Sequence, residues 1–208
     1  FFDLDKIRIK DGIVYLCGAK LDYTWEELIL DAYNERTDLS CHSFYATPAI
    51  YYDRVKERGR PFAYYSYGTS LTEVEVDILR GVYEIVSIDV VHDVGKSLSP
   101  EIDKGQIEGA VIQSIGWTTI EQLRYAPDGK MLSSANSYKI PDIKFVPKNF
   151  NVMLLENSEN PYAVCNSKAI GEPPFIHGLG AYFAILDVLR KIRKDKPLPS
   201  LPLTPERV

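Results

Sequence analysis

One stretch of this sequence places amides and glycines where they could hold a planar molecule. A helix over residues 105–116 would carry four of them on one face, because they follow an i, i+3, i+7, i+10 spacing. They are Gln106, Gly109, Gln113 and Gly116. Glycine inside a helix costs about 0.5–1 kcal/mol relative to alanine, so something should approach this backbone closely. Two alternatives stay open: another helix packed against small residues, or a planar polar ligand held by amide hydrogen bonds.

A second stretch places a carboxylate on a stiff loop. Residues 166–175 contain Gly171-Glu172-Pro173-Pro174. A residue that precedes proline is pushed out of the α region, so we expect an extended Glu172, and the prolines fix φ after it. A carboxylate held in this way could act as a positioned base. The alternative is a carboxylate that stabilises the N-terminus of a following helix through its dipole.

Metal ligands are few and scattered in this chain. Three histidines and three cysteines stand far apart, and no two cysteines form a Cys-x-x-Cys pair. This spacing argues against a metal ion or an iron–sulfur cluster held by side chains of this chain. We expect the cysteines to be small buried residues. The six residues are His42, His92, His177, Cys17, Cys41 and Cys165.

Composition narrows the class of protein. The 208 residues are 45% hydrophobic, which suits a folded core, and the net charge of −5 argues against a nucleic-acid partner. No apolar run approaches the roughly 18 residues that a membrane span needs. Residues 1–3 lack the order of a signal peptide, and the few cysteines suit a reduced compartment, so we expect a cytoplasmic protein. The chain does not begin with Met, and we therefore expect a piece of a longer protein.

Local patterns predict the elements that would carry these residues. Alternation over residues 6–17 around Asp11-Gly12 predicts a β-hairpin, and Thr24 with Glu27 predicts a capping box that starts a helix. Ser99-Pro100 predicts the start of the helix that bears Gln106. Further strands are predicted over residues 49–52, 62–67, 72–77, 83–91, 118–125 and 149–156.

The order of these elements predicts an α+β fold with small mixed and antiparallel sheets and packed helices. We expect two β–α lobes, residues 1–96 and 97–196, followed by a proline-rich extended tail over residues 197–208. The second lobe would end in a helix whose core face carries Leu179, Tyr182, Phe183, Leu186 and Leu189.

Six motifs in register give the sequence a family resemblance. The chain resembles the C-terminal part of the molybdopterin-binding subunit of the xanthine dehydrogenase and aldehyde oxidase family, the molybdenum hydroxylases. The first 38 residues resemble the hairpin and helix that precede these motifs in bacterial members. The motifs are Phe44-Tyr-Ala-Thr-Pro48, Thr72-Glu-Val-Glu-Val-Asp77, Asp93-Val-Gly95, Lys104-Gly-Gln-Ile-Glu-Gly109, Tyr138-Lys-Ile-Pro141 and Ser167-Lys-Ala-Ile-Gly-Glu-Pro-Pro174.

The resemblance implies roles for particular residues. It places the family's catalytic base on Glu172 and the amide that contacts the pterin on Gln106, with Gly171 and Lys168 also at the cofactor. Molybdenum is held in this family by the dithiolene of molybdopterin, so the resemblance implies no metal ligand from the protein. Ser114 stands where glycine is common in the family, and Ser43 and Ala46 also depart from the family pattern. These departures do not indicate which substrate the protein acts on.

The implied activity is the hydroxylation of an N-heterocycle such as a purine, or of an aldehyde, with water as the oxygen source. Glu172 would accept a proton from a hydroxyl group at the molybdenum centre. The cofactor would be molybdenum-molybdopterin, with the cytosine dinucleotide as one form. Iron–sulfur clusters and FAD would lie on partner domains or subunits, beside the upstream remainder of the molybdenum subunit. Two alternatives are a non-enzymatic assembly or interaction module and a heterocycle-binding module without redox function.

Overall fold

The computed structural model describes residues 4–194 and 197–208. It confirms an α+β fold with three small sheets and three α-helices. The expectation drawn from residues 1–3 lies outside these ranges. The elements are β1 (Ile7–Lys10), β2 (Ile13–Leu16), β3 (Ala19–Thr24), α1 (Trp25–Asn34), β4 (Tyr51–Asp53), β5 (Arg58–Arg60), β6 (Gly68–Asp77), β7 (Val82–His92), α2 (Pro100–Thr119), β8 (Asn149–Leu154) and α3 (Leu179–Ile192).

The first of two compact units, Phe1–Ala46, contains one antiparallel sheet in the order β1-β2-β3 and the helix α1. The predicted hairpin is confirmed, because Asp11 and Gly12 form its turn with φ of 51° and 72°. The predicted capping box is also confirmed: the Thr24 hydroxyl accepts from the Glu27 N–H, and the Glu27 carboxylate accepts from the Thr24 N–H.

The second unit, Thr47–Val208, contains the small sheet β4-β5 and a mixed sheet in the order β6-β7-β8. Strands β6 and β7 pair antiparallel, and β8 joins β7 in parallel register from Ser87↔Asn149 to His92↔Leu154. Parallel neighbours need a crossover connection, and α2 lies in that connection. The core of this unit joins Ile88 and Val90 of β7 to one face of α2.

The expected boundary between lobes, near residues 96 and 97, lies inside this second unit. The reason is physical: β7 before the boundary and β8 after it share one sheet, so their hydrogen bonds cross it. The proline-rich tail is packed as well. Leu203 is fully buried in a cluster with α3, and the Leu203 carbonyl accepts from the Tyr83 hydroxyl at 2.7 Å.

Two predicted strands are wrong. Residues 62–67 form no strand, because several of their polar groups bond to other segments: the Tyr65 carbonyl accepts from the Lys168 ammonium, and the Tyr67 carbonyl accepts from the Asp93 N–H. Residues 118–125 also form no strand. Helix α2 continues through Thr119, whose hydroxyl donates to the Ile115 carbonyl one turn earlier.

Other expectations were partly or wholly wrong at the level of side chains. On α3, Leu186 and Leu189 are buried as predicted, whereas Phe183 is 57% exposed and Ile185 takes its place in the core. The three cysteines are exposed rather than buried. None of the helices in the described ranges is long and apolar enough to cross a membrane.

Candidate functional site

The loop that carries Glu172 is anchored to the chain just beyond β7. Gly95 and Ser167 form an isolated antiparallel bridge, in which the Lys168 N–H donates to the Val94 carbonyl at 2.8 Å. Gly95 has φ of +62°, and a β-carbon there would lie 2.5 Å from the Asn166 carbonyl oxygen. Only glycine permits this backbone and this close approach, so residues 93–96 and 166–168 are fixed against each other.

A buried ion pair lies at the same place. The Lys168 ammonium donates to the Asp93 carboxylate, and the two side chains are only 8% and 2% exposed. Asp93 also accepts from the Ser158 hydroxyl and, at 2.9 Å, from the Gly95 N–H. Burial alone would raise the pKa of Asp93, but these hydrogen bonds from Lys168, Ser158 and Gly95 outweigh it and lower that pKa.

Sequence reasoning missed the role of Asp93. The sequence shows Asp93 only as part of the motif Asp93-Val-Gly95 and gives it no partner. The sequence did carry a signal, because Asp93 directly precedes Val94-Gly95 at the end of an apolar strand, and the Gly95 N–H donates to its carboxylate. The identity of its cation could not be read locally, since Lys168 lies 75 residues away.

Glu172 itself lies on the exposed end of this loop. Its backbone has φ −105° and ψ −39°, so the predicted extended conformation is wrong. The Phe175 N–H donates to its carbonyl at 3.0 Å and starts a 3-10 helix, Pro173–Gly178, which draws Glu172 into the α region despite the proline that follows. Its side chain caps no N–H of that helix. Within the described ranges the carboxylate has no hydrogen-bond partner, and it directly precedes this helix, so the alternative of stabilisation through the helix dipole stays open.

The two stretches singled out in the sequence meet in the second unit. A β-carbon added to Gly171 would lie 3.7 Å from Gln106 Oε1 and would meet no other atom of the described residues within 4 Å. Both residues are exposed. The Gln106 amide has no hydrogen-bond partner among the described residues. An unpartnered amide therefore lies beside the glycine that immediately precedes Glu172.

The small-residue face of α2 is open over most of its length. β-carbons added to Gly105 or Gly109 would meet nothing within 4 Å, and both residues line a groove of about 870 Å³ with Gln113. Pro141 and Ile140 form part of the opposite wall. Only at Gly116 is the face closed, where a β-carbon would lie 2.5 Å from the Pro141 ring. In the described part of the chain no α-helix packs on this face, so the helix-packing alternative is not met.

A pair of buried histidines lies behind the loop. His92 Nδ1 and His177 Nε2 are 3.0 Å apart, and Gly68 leaves them room, since a β-carbon there would lie 2.7 Å from the His177 ring. Burial, with the nearby His177 next in weight, lowers the pKa of His92 to about 4. Across residues 4–194 and 197–208, no three potential ligands among His, Cys, Asp and Glu cluster together.

The sequence is similar to a family of domains and to individual known proteins. The family model described as "Molybdopterin cofactor-binding domain" matches residues 2–147. The chain is 42% identical over 199 residues to a xanthine dehydrogenase of Oryza sativa subsp. japonica, covering 89% of this chain and 14% of that protein. It is 40% identical over 196 residues to a xanthine dehydrogenase/oxidase of Gallus gallus, covering 91% of this chain and 14% of that protein. The chain thus spans about a seventh of the length of these relatives.

Solved structures share the fold. Quinoline 2-oxidoreductase from Pseudomonas putida 86 aligns with a TM-score of 0.68 and 23% identity over 98% of this chain and 25% of that chain. The aldehyde oxidoreductase from Desulfovibrio desulfuricans aligns with a TM-score of 0.58 and 28% identity over 73% of this chain and 16% of that chain. The first likeness supports the fold alone, and both agree with the α+β architecture described above.

Proposed function

Because this chain belongs to the molybdopterin cofactor-binding domains of the xanthine dehydrogenase and aldehyde oxidoreductase family, we propose that it supplies the catalytic base and one side of the cofactor site in a molybdenum hydroxylase. One observation carries the proposal. The unpartnered amide of Gln106 lies beside Gly171, directly before the exposed carboxylate of Glu172. The amide and the carboxylate, which are far apart in sequence and chemically suited to a cofactor and a proton transfer, thus lie at one surface.

The residues present fit a molybdopterin. A planar, polar ring system needs an open approach and amide partners, and the bare backbone at Gly105 and Gly109 leaves that approach free. Gln106 can both donate to and accept from such a ring. Gly171 has no side chain to obstruct it. Lys168 stays a predicted cofactor contact, but its ammonium is engaged by Asp93, so Gln106 and Gly171 are the better supported of the three.

The bound cofactor would supply the two-electron chemistry of hydroxylation. The protein's own share is the proton. The Glu172 carboxylate would accept the proton released by the hydroxyl group that attacks the substrate. Gln106 would hold the pterin through its amide, and Gly171 would leave room for it beside the loop. The exposed, unpaired state of the carboxylate leaves it able to reach a substrate.

The substrate class follows from the names of the relatives. We propose an N-heterocycle such as xanthine, or an aldehyde, as the molecule that is hydroxylated. Electrons would leave through iron–sulfur clusters, and through FAD in a flavin-containing assembly, on other domains or subunits. The cofactor would be molybdenum-molybdopterin, either without an attached nucleotide or as the cytosine dinucleotide. A cytoplasmic location completes the proposal.

Glu172→Gln in the complete, molybdenum-loaded enzyme tests the function. Glutamine keeps the shape of the side chain but cannot accept the proton, so turnover of xanthine or benzaldehyde should fall by about 10²–10⁴-fold, the usual worth of general-base assistance. Molybdenum content and melting temperature should match the parent. The matched control is Glu84→Gln on β7, an exposed glutamate outside the site, which should change neither rate nor loading.

A different outcome would favour another function. A Glu172→Gln rate within a few-fold of the parent, at normal molybdenum content, would show that this carboxylate is not the base. A complete protein that binds no molybdenum and hydroxylates neither probe would instead support the non-enzymatic assembly or interaction module.

A further inference from the structure

We propose that the Asp93–Lys168 ion pair and the Tyr64 hydroxyl form a positioning group that fixes Glu172 relative to α2. The inference rests on the proposed function, because it takes Glu172 as the base. Neither Asp93 nor Tyr64 touches the site itself. They act through the four residues, 168–171, that lead into it.

The first three of these residues each have an anchor. The backbone of Lys168 bonds to Val94, and its ammonium bonds to Asp93. The Ala169 N–H donates to the Tyr64 hydroxyl oxygen at 3.1 Å. Ile170 packs against the buried core cluster that contains one face of α2.

Gly171 follows these three residues, and the exposed Gln106 amide of α2 lies beside it. Consecutive residues are therefore held by the end of β7, by the 62–67 segment and by the core in turn. Three anchors on three consecutive residues leave the backbone before Gly171 and Glu172 little freedom to shift. The 62–67 segment supplies two of the contacts, through Tyr64 and the Tyr65 carbonyl, in place of forming a strand.

The buried ion pair at this place is better explained by a role in positioning the loop than by a gain in stability. Burying two charges carries a large desolvation penalty, and apolar residues of similar size are often as stable or more stable. What a buried ion pair offers is a directional contact that tolerates one geometry. Asp93 reinforces this, because its carboxylate also accepts from Gly95 and Ser158 and is thereby fixed from three sides.

The surroundings of the ammonium also explain why Lys168 acts through the loop. It bonds to Asp93 and, at 3.0 Å, to the Tyr65 carbonyl, and it lies 5.6 Å from the centre of the Tyr67 ring. An ammonium has three donors, and hydrogen bonds engage two of them here. A cofactor contact through Lys168 predicts a loss of molybdenum from a Lys168 variant, whereas a positioning role predicts lost turnover at normal molybdenum content.

The test compares variants of the complete, molybdenum-loaded enzyme with xanthine and benzaldehyde as probes. Lys168→Met removes the cation, and Asp93→Asn with Lys168→Met removes both charges, so that no buried charge is left unpaired. Tyr64→Phe removes only the hydroxyl. The matched control is Lys191→Met, which breaks the exposed Lys191–Asp187 ion pair on α3. Turnover per bound molybdenum, molybdenum content, Michaelis constant and melting temperature are measured for each, beside Glu172→Gln.

A positioning role predicts a specific pattern. Turnover per bound molybdenum should fall at least about tenfold for Lys168→Met, since displacing a reacting group by about 1 Å can cost 10²-fold. Tyr64→Phe should lose a few-fold. Molybdenum content should stay within twofold of the parent, and the control should be unchanged. The double variant should melt higher than Lys168→Met and yet remain slow, which a purely structural role would not produce.

Other results would overturn the inference. A molybdenum content that falls in proportion to total activity would make Lys168 a cofactor contact. Turnover per bound molybdenum within twofold of the parent in both the double variant and Tyr64→Phe would leave the pair a structural feature only, even if Lys168→Met alone failed to fold. Failure of the proposed function is separate: it is read from Glu172→Gln, and a slow Glu172→Gln with a fast double variant defeats only the positioning role.

Discussion

Helix α2 has two faces that differ in almost every respect. On one, Ile107, Val111 and Ile115 are fully buried against the sheet β6-β7-β8 and the elements around it. On the other, Gln106, Gly109 and Gln113 are exposed, and Gly109 and Gln113 line an open groove. The buried face repeats every fourth residue with branched apolar side chains, whereas the open face combines amides with missing side chains.

The difference shows how one helix can serve both a core and a site. The buried face holds α2 rigid, because close-packed branched side chains resist displacement. The open face gives up helix propensity at Gly105 and Gly109 and gains backbone that a ligand can approach. Stability and binding are thus assigned to opposite sides of the same element, and substitutions on the two sides should have separable effects.

The largest effect on stability is expected on the buried face. Ile115→Ala should lower the free energy of unfolding by about 2–5 kcal/mol, because it removes a fully buried side chain and leaves a cavity. Gln113→Ala, two residues away and exposed, should change it by no more than about 0.5 kcal/mol. Urea unfolding of the chain checks both, and similar losses in the two variants would break the contrast between the faces.

Acid should act through the histidines behind the buried face. The pKa of His92 is lowered to about 4 in the folded chain, from an ordinary value near 6.5. The neutral ring is therefore favoured on folding, so this stability is complete above about pH 6.5 and is lost as the pH falls from there towards 4. We expect a loss of about 2 kcal/mol between pH 7 and pH 5.

His92→Gln removes the His92 contribution to this effect. Its unfolding free energy should depend less on pH between 7 and 5 than that of the parent, and the dependence that is left comes from His177, whose pKa is also lowered by burial. The lowered pKa of Asp93 acts in the same direction but at lower pH, below its ordinary value near 3.8. A parent chain that is equally stable at pH 7 and pH 5 would contradict the prediction.

Two glycines of the same helix provide a sharper comparison. Gly109→Ala should stabilise the chain by about 0.5–1 kcal/mol, since a β-carbon meets open space there. Gly116→Ala should destabilise it by about 1–2 kcal/mol, because the β-carbon would lie 2.5 Å from the Pro141 ring and must displace it. Thermal unfolding of the two variants tests this prediction. If both substitutions changed stability in the same direction, either the open groove would be filled or Pro141 would move freely.

The smallest effect is expected at Gln106. In the complete enzyme, Gln106→Ala should weaken cofactor retention by about two- to twelvefold, which corresponds to one hydrogen bond of about 0.5–1.5 kcal/mol. The Michaelis constant should change less. Molybdenum content after extended dialysis and the Michaelis constant are measured together, with Gln122→Ala as the control. Full retention with a raised Michaelis constant would assign Gln106 to the substrate instead.

Local features of the sequence predicted local structure well. Asp11-Gly12 predicted a hairpin, Thr24 and Glu27 a capping box, and the spacing of Leu186 and Leu189 a buried helix face, because each depends on residues only a few positions apart. The order of motifs predicted the family, which the family model and the relatives confirm. The fold class followed from the same order of elements.

Predictions failed where distant segments compete for the same backbone. Residues 62–67 have the composition of a strand, yet their groups bond to the loop around Lys168 and to Asp93. Glu172 precedes a proline, yet the 3-10 helix after it draws it into the α region. In both cases a tertiary or neighbouring hydrogen bond outweighed a local preference of about 1 kcal/mol or less.

The sequence by itself therefore determined most of the elements, the family and the residue types that could do chemistry. Only the tertiary structure decided which of them meet: Gln106 beside Gly171, Asp93 with Lys168 across 75 residues, and His92 with His177 across 85 residues. The physical reason is that periodicity and capping report contacts within a few residues along the chain. Pairing across tens of residues depends on how the sheet and α2 pack, and a single local pattern carries no record of that packing.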